Sequence, residues 1–190
     1  PASLEETSVL PVIGTKELVA SLPGQLGLGP DSTIVIPACA YPTYRVGAQL
    51  AGAKIVAVNE PDEVDVAPDL IWINSPANPS GRVLDLDEMK AWVDLARSTG
   101  AVLASDECYG EFVWEGESVS VLDERVNSGD VTGLLACLSM SKRSNMAGYR
   151  AGFAVGDAEL TSELLTVRKH SGLMIPAPVV AAMQAALADR

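Results

Sequence analysis

The chain has 190 residues, 48% of them hydrophobic, enough for one substantial core and near the upper size of an ordinary single domain. Its 25 acidic residues outnumber 13 basic ones, for a net charge of −12. That balance opposes a sequence-blind grip on nucleic acid or an anionic membrane, both of which need a basic face. With no run of 18 apolar residues and no basic-then-apolar leader, the sequence reads as a soluble cytoplasmic protein whose partners are small molecules or protein.

Taken in chain order, short β-rich runs alternate with helical patterns. A helix is predicted near 15–27, behind "GTKE", where Gly14, Thr15 and Lys16 would present free backbone N–H groups to an anion. A strand at 32–37 leads to "CAYPTY", with Tyr41, and a helix near 42–52. Strands at 54–58 and 69–74 follow, the second running into the polar loop "NSPANPSGR" that carries Asn78. Asp85 opens a helix near 85–99. The strand at 101–106 runs into "DECYGEF", with Asp106 and Tyr109, and the strand at 134–140 into "SKRSN". A strand at 150–156, a helix opened by Asp157 near 157–170 and a helix near 177–189 complete the pattern. No repeat, low-complexity tract or linker interrupts it.

Continuous apolar strands between helices imply an α/β fold with a mainly parallel sheet covered on both faces. In such a sheet the ligand crevice lies at the carboxyl ends of the strands. The three polar loops after strands should therefore converge.

Each part alone is ordinary: Gly14 is a common helix-start residue, GxxxxGK[ST] is absent, Asp106 suits a helix cap, and Asn78 before Pro79 suits a turn. Cys39, Cys108 and Cys137 are odd in number and follow no metal-ligand spacing, which suggests reduced and mostly buried thiols. His170 reads as a helix-end or surface residue. Lysine stands at five positions, and 16, 54, 90 and 169 fall in patterns typical of solvated sites. Lys142 differs. In "SMSKRSNMAGYR" it is flanked by Ser139, Ser141 and Arg150, a setting suited to a lysine that must lose its proton and attack a carbonyl in a shaped, partly dry pocket.

Together these parts match one cofactor. The helix start, the two serines and Arg150 can hold a phosphate. Asp106, Tyr109 and Asn78 offer one carboxylate and two neutral polar groups to a planar heterocycle, and Lys142 would meet an aldehyde on it. Pyridoxal 5'-phosphate fits this inventory.

"SMSKRSNMAGYR", "NSPANPSG" and "SDECYGEF" resemble the class I/II, fold-type I pyridoxal-phosphate aminotransferases, with a likeness running from about Val9 to about Ala188. The resemblance implies that Lys142 carries the cofactor covalently and moves the proton at the substrate Cα. Arg150, Ser139 and Ser141, with the backbone of Gly14, Thr15 and Lys16, would hold the phosphate. Tyr41 would stack on the ring, Asn78 and Tyr109 would meet its phenolic oxygen, and Asp106 would sit against its nitrogen. A cis bond before Pro79 is expected on the same grounds.

Within the family the likeness is nearest to the actinobacterial type of N-succinyldiaminopimelate aminotransferase. That implies a homodimer exchanging an amino group between a succinylated amino diacid and a 2-oxo acid such as 2-oxoglutarate. Other amino-acid substrates, a C–S β-lyase and the sensor domain of a regulator remain as alternatives. The family's N-terminal arm and its small domain, with the arginine that grips the substrate carboxylate, find no match here. Residues 1–190 are accordingly expected to be the cofactor-binding large domain of a longer protein. Arg45, Arg82, Arg97, Arg125, Arg143 and Arg168 take no assigned role, and most are expected on solvated helices or loops.

Overall fold

The computed structural model describes residues 7–189. Seven strands form one sheet: β1 (Thr7–Val12), β2 (Thr33–Pro37), β3 (Lys54–Val58), β4 (Leu70–Asn74), β5 (Val102–Asp106), β6 (Leu134–Ser139) and β7 (Gly152–Asp157). Their spatial order is β1-β7-β6-β5-β4-β2-β3. The five from β3 to β6 are parallel, whereas β7 is antiparallel to both of its neighbours.

β1 was not among the expected elements. Its run TSVLPV carries Pro11, a residue that lowers strand propensity and is tolerated at a sheet edge, which is where β1 lies.

The helices are α1 (Thr15–Gln25), α2 (Thr43–Ala51), α3 (Leu86–Thr99), α4 (Glu124–Asn127), α5 (Met140–Arg143), α6 (Ala158–His170) and α7 (Ala177–Ala188). Sequence capping works as expected at two of them. Asp85 accepts from the Glu88 N–H at 2.9 Å in a full capping box, and Asp157 accepts from the Glu159 N–H at 2.9 Å. The four-residue α4 and α5 gave no periodic signal because one turn is too short to show one.

Strand side chains alternate between two cores. Ile34, Ile36, Leu70, Trp72 and Leu135 pack with α1, α2 and α6, while Val35, Ile71, Ile73, Leu103 and Ala136 pack with α3 and α4. Burial on both faces explains the unbroken apolar runs, and all five residues of β4 are buried. On the first face α2 crosses closely over α1: a Cβ on Gly47 would stand 2.6 Å from the Val19 carbonyl oxygen, so only glycine permits the approach.

The most consequential feature of the sheet is its register. Asn74 pairs with Asp106 and Asp106 with Cys137, which aligns the last residues of β4 and β5 beside the end of β6. The loops carrying Asn78, Tyr109 and Lys142 therefore leave the sheet side by side.

Among the described residues no helix is long and apolar enough to cross a membrane, and no cluster of three or more His, Cys, Asp or Glu could hold a metal.

Candidate active site

At the carboxyl ends of β4, β5 and β6 lies a cavity of about 470 Å³. Thr15, Lys16, Tyr41, Asn78, Asp106, Tyr109, Ser139, Ser141, Lys142 and Arg150 all line it, so ten of the eleven residues singled out in the sequence meet in one place. The eleventh, Gly14, lies beneath Arg150.

Asp106 ends β5 and is 9% exposed. Its Oδ2 accepts from the Tyr44 hydroxyl at 2.7 Å, and its Oδ1 from the Cys108 N–H at 3.2 Å. Tyr44 was missed in the sequence, since a tyrosine on an amphipathic helix carries no sign of a partner 62 residues away. It is buried and leans on Trp72, ring centroids 5.3 Å apart. Burial, and then the Asp106 charge, push its hydroxyl well above the ordinary tyrosine range, so it stays a protonated donor. The same two causes push the Cys108 thiol up, which leaves it inert rather than nucleophilic.

Asn74 was also missed. Its side-chain N–H donates to the Asp106 carbonyl at 2.8 Å, while its Oδ1 accepts from the Asn78 N–H at 2.7 Å. It thus fastens the Asn78 loop to the end of β5. Asn78 Nδ2 in turn donates to the Tyr109 hydroxyl at 3.4 Å, and both the Ser75–Pro76 and Asn78–Pro79 bonds are cis.

Lys142 lies on α5 directly after β6, its Nζ 5.8 Å from the centroid of the Tyr109 ring. Ser139 caps this turn, its Oγ accepting from the Ser141 N–H at 3.1 Å, and its own O–H is free to donate. The pocket is less enclosed than expected, because Lys142 and Arg150 are both exposed. Lys16 Nζ lies 5.3 Å from the Tyr41 ring centroid, and hydrogen bonding with Lys16, more than its charge, draws the Tyr41 hydroxyl below the ordinary tyrosine value.

Arg150 adopts a left-handed backbone, φ 52°, and donates through Nη1 to the Ala147 carbonyl at 2.8 Å. Its guanidinium covers Gly14, where an added Cβ would stand 2.6 Å from Nη2. Gly14 has φ 71° and ψ 152°, a conformation essentially restricted to glycine, and no side chain caps the helix that follows. The bare N-terminus of α1 and Arg150 therefore make one electropositive corner suited to a phosphate, in the cavity that Asp106 also lines.

Most of the remaining arginines are committed to other partners. Arg82 pairs with Glu60 and Glu88, Arg97 with Asp130, Arg125 with Glu117 and Asp123, and Arg143 with Glu111. Arg168 is the exception to the solvated setting expected for most of these arginines: it is fully buried and binds Glu17 in a fork, with contacts of 2.7 and 3.1 Å that tie α6 to α1. Arg45 is exposed and does not line the cavity. The thiols are free but not uniformly buried: Cys137 is buried, Cys108 half-buried and Cys39 exposed. His170 ends α6 on the surface, as expected.

A lysine facing an aromatic ring, a carboxylate held as an acceptor, and an arginine beside an uncapped helix start thus meet at the strand ends of a sheet of the fold-type I kind. Residues 2–190 match the family described as Aminotransferase class I and II, and the chain belongs to that pyridoxal-phosphate-dependent family.

It is 54% identical over 98% of its length to a probable aminotransferase of Mycobacterium tuberculosis, covering 45% of that protein. It is 52% identical over 98% of its length to 4-dedimethylamino-4-oxo-anhydrotetracycline transaminase of Streptomyces rimosus, covering 52% of it. Among solved structures, N-succinyldiaminopimelate aminotransferase of Mycobacterium tuberculosis superposes with a TM-score of 0.85 at 25% identity, over 97% of this chain and 50% of that one. The chain thus spans about half the length of the curated relatives it matches.

Proposed function

We propose that this chain is the cofactor-binding large domain of a longer pyridoxal-phosphate-dependent aminotransferase. The observation that carries the reading is the single cavity shared by Lys142, Asp106, Tyr109, Asn78 and Arg150. When bound, the cofactor supplies a carbonyl carbon that takes up the amino group and a conjugated ring that spreads the negative charge left at the substrate Cα.

The chain's own residues do the rest. Arg150, the N–H groups of Thr15 and Lys16, and the hydroxyls of Ser139 and Ser141 bind the phosphate. Tyr41 covers one face of the ring with apolar surface. Asp106, held in position by the Tyr44 hydroxyl and the Cys108 N–H, faces the ring nitrogen and favours a proton there. Asn78 and Tyr109 donate to the phenolic oxygen. Lys142 would hold the cofactor and, once released from it, would take the proton from the substrate Cα, serving as base and then as acid.

The whole protein is read as a cytoplasmic homodimer acting on small amino and 2-oxo acids. The free thiols among the described residues agree with a reducing compartment. For the amino donor we favour N-succinyldiaminopimelate, with 2-oxoglutarate as acceptor, a choice supported by the superposition on the mycobacterial enzyme of that name. The higher identity to a transaminase named for a tetracycline ketone supports a second reading, in which the acceptor is a bulky cyclic ketone.

The test is reconstitution of the full-length protein with pyridoxal phosphate, reduction with borohydride, and peptide mapping. Label at Lys142 is expected, and label at Lys16, Lys54, Lys90 or Lys169 instead refutes the assignment. Release of 2-oxo acid without ammonia separates transfer from β-elimination.

A further inference from the structure

α5 is a single turn of four residues, too short to hold its own orientation through internal hydrogen bonds. Its start is secured by the Ser139 cap and by Met140, which is buried with Met183 of α7 and Ala151 in a small separate core. Its end is secured by Arg143. The Nε of Arg143 donates to Glu111 Oε1 at 2.6 Å, and Nη1 donates to the Ala186 carbonyl at 3.1 Å.

These two partners belong to different parts of the molecule. Glu111 sits in the turn Gly110–Phe112 directly after Tyr109, the residue that faces Lys142. Ala186 lies in the last turn of α7, where carbonyls have no helical partner and a cation is favoured. Packing does not close this joint: a cavity of about 120 Å³ remains, lined by Leu138, Phe153 and Leu187 with Arg143 and Glu111 on its wall.

We propose that Arg143 is a positioning residue, a strut that binds the turn of Lys142, the turn of Tyr109 and the end of α7 into one unit and so sets the distance between Lys142 Nζ and the Tyr109 ring. The proposal rests on the reading of Lys142 as the cofactor lysine. The bridge adds little to global stability, because the Arg143 and Glu111 side chains are 30% and 61% exposed and such pairs are screened. Its effect is on placement: without the fork, α5 keeps its cap but loses its reference to both neighbours. A displacement of about 1 Å at a reacting group can cost as much as a hundredfold in rate.

The test compares full-length wild-type protein with Arg143→Met, Arg143→Lys and Glu111→Gln. In the cofactor-free proteins, hydrogen exchange is read at the Ser144 and Met146 amides, which donate to the Met140 carbonyl at 3.2 Å. In Arg143→Met both amides are expected to exchange about tenfold faster. With cofactor, kcat should fall about tenfold while KM for the amino donor stays within about twofold and the melting temperature within about 2 °C. Arg143→Lys, which reaches Glu111 but cannot fork to Ala186, should recover part of both effects. Label at Lys142 with wild-type exchange and kcat in Arg143→Met overturns the proposal alone. A loss of kcat matched by a comparable loss of melting temperature overturns it in favour of a purely structural role. No label at Lys142 in the wild-type protein overturns the underlying reading, and the proposal with it.

Discussion

The Tyr44 hydroxyl and the Cys108 N–H are the two donors that hold the Asp106 carboxylate, and the two residues are not interchangeable with a surface acid and its solvent. Losing Tyr44's donation removes a hydrogen bond to a charged group, worth about 1.5–3 kcal/mol. Tyr44→Phe in the full-length protein should therefore lower kcat by about tenfold or more, whereas Asp106→Ala, which removes the anion itself, should cost more than about a hundredfold. Steady-state kinetics on both variants checks the order, and equal losses would argue against Asp106 as the residue that keeps a proton on the ring nitrogen.

The adjacent Glu107 makes a second residue-scale case. It is 8% exposed, and burial pushes its carboxyl above the ordinary value of 4.5, although it accepts from the Val121 N–H at 2.8 Å. A raised value in the folded state means that the native protein binds the proton more tightly than the unfolded chain. Stability from this group is thus complete below about pH 4.5 and falls as pH rises through the folded-state value. Glu107→Gln keeps the acceptor and removes the charge. Thermal melts should show it more stable than wild type at pH 7–8, with the difference vanishing toward pH 4; a constant difference across that range would refute the linkage.

At the scale of elements, α1 contributes its N-terminus and Gly14 contributes the absence of a side chain. Gly14→Ala must adopt a backbone conformation costing about 1–3 kcal/mol and must also displace the Arg150 guanidinium. Affinity for pyridoxal phosphate, measured by absorbance titration, should fall by about tenfold or more. Gly24→Ala is the control. It lies in the same helix with open space around it, so it should leave affinity unchanged and stabilise by about 0.5–1 kcal/mol. If the two variants lose the same affinity, the corner beneath Arg150 is not the phosphate site. The Arg168–Glu17 fork serves the same element from behind, fixing α1 to α6 so that its N-terminus stays beside β6 and β7.

For the whole molecule, the openness of the cavity sets the expected behaviour of these 190 residues when isolated. Lys142 and Arg150 are exposed, and among the described residues Arg150, given to the phosphate, is the one arginine that lines the cavity. The isolated chain should bind pyridoxal phosphate at high concentration, because the residues proposed to contact it are present. It should release 2-oxo acid from glutamate at least a hundredfold more slowly than the full-length protein, since orienting the substrate supplies as much as about 7–11 kcal/mol of the barrier. Comparable rates would mean that the domain holds its own substrate anchor, with Arg45 the first residue to test.

The sequence by itself determined the alternating elements, the parallel sheet and the polar loops that follow its strands, because apolar periodicity, capping aspartates and strand-end polar runs are local signals. It also marked Lys142, Asp106, Asn78, Tyr109 and Arg150, whose motifs are short and contiguous. It did not reveal the edge strand β1, which Pro11 disguises, or the antiparallel turn of β7, which depends on pairing rather than on composition. Nor did it show Tyr44 and Asn74 as supports of the site, Arg168 as a buried cation, or Arg143 as a link between three segments. Those roles arise from side chains meeting across 32, 62 or 151 positions of chain, and only the register of the sheet and the packing of helices on it decide which distant residues meet.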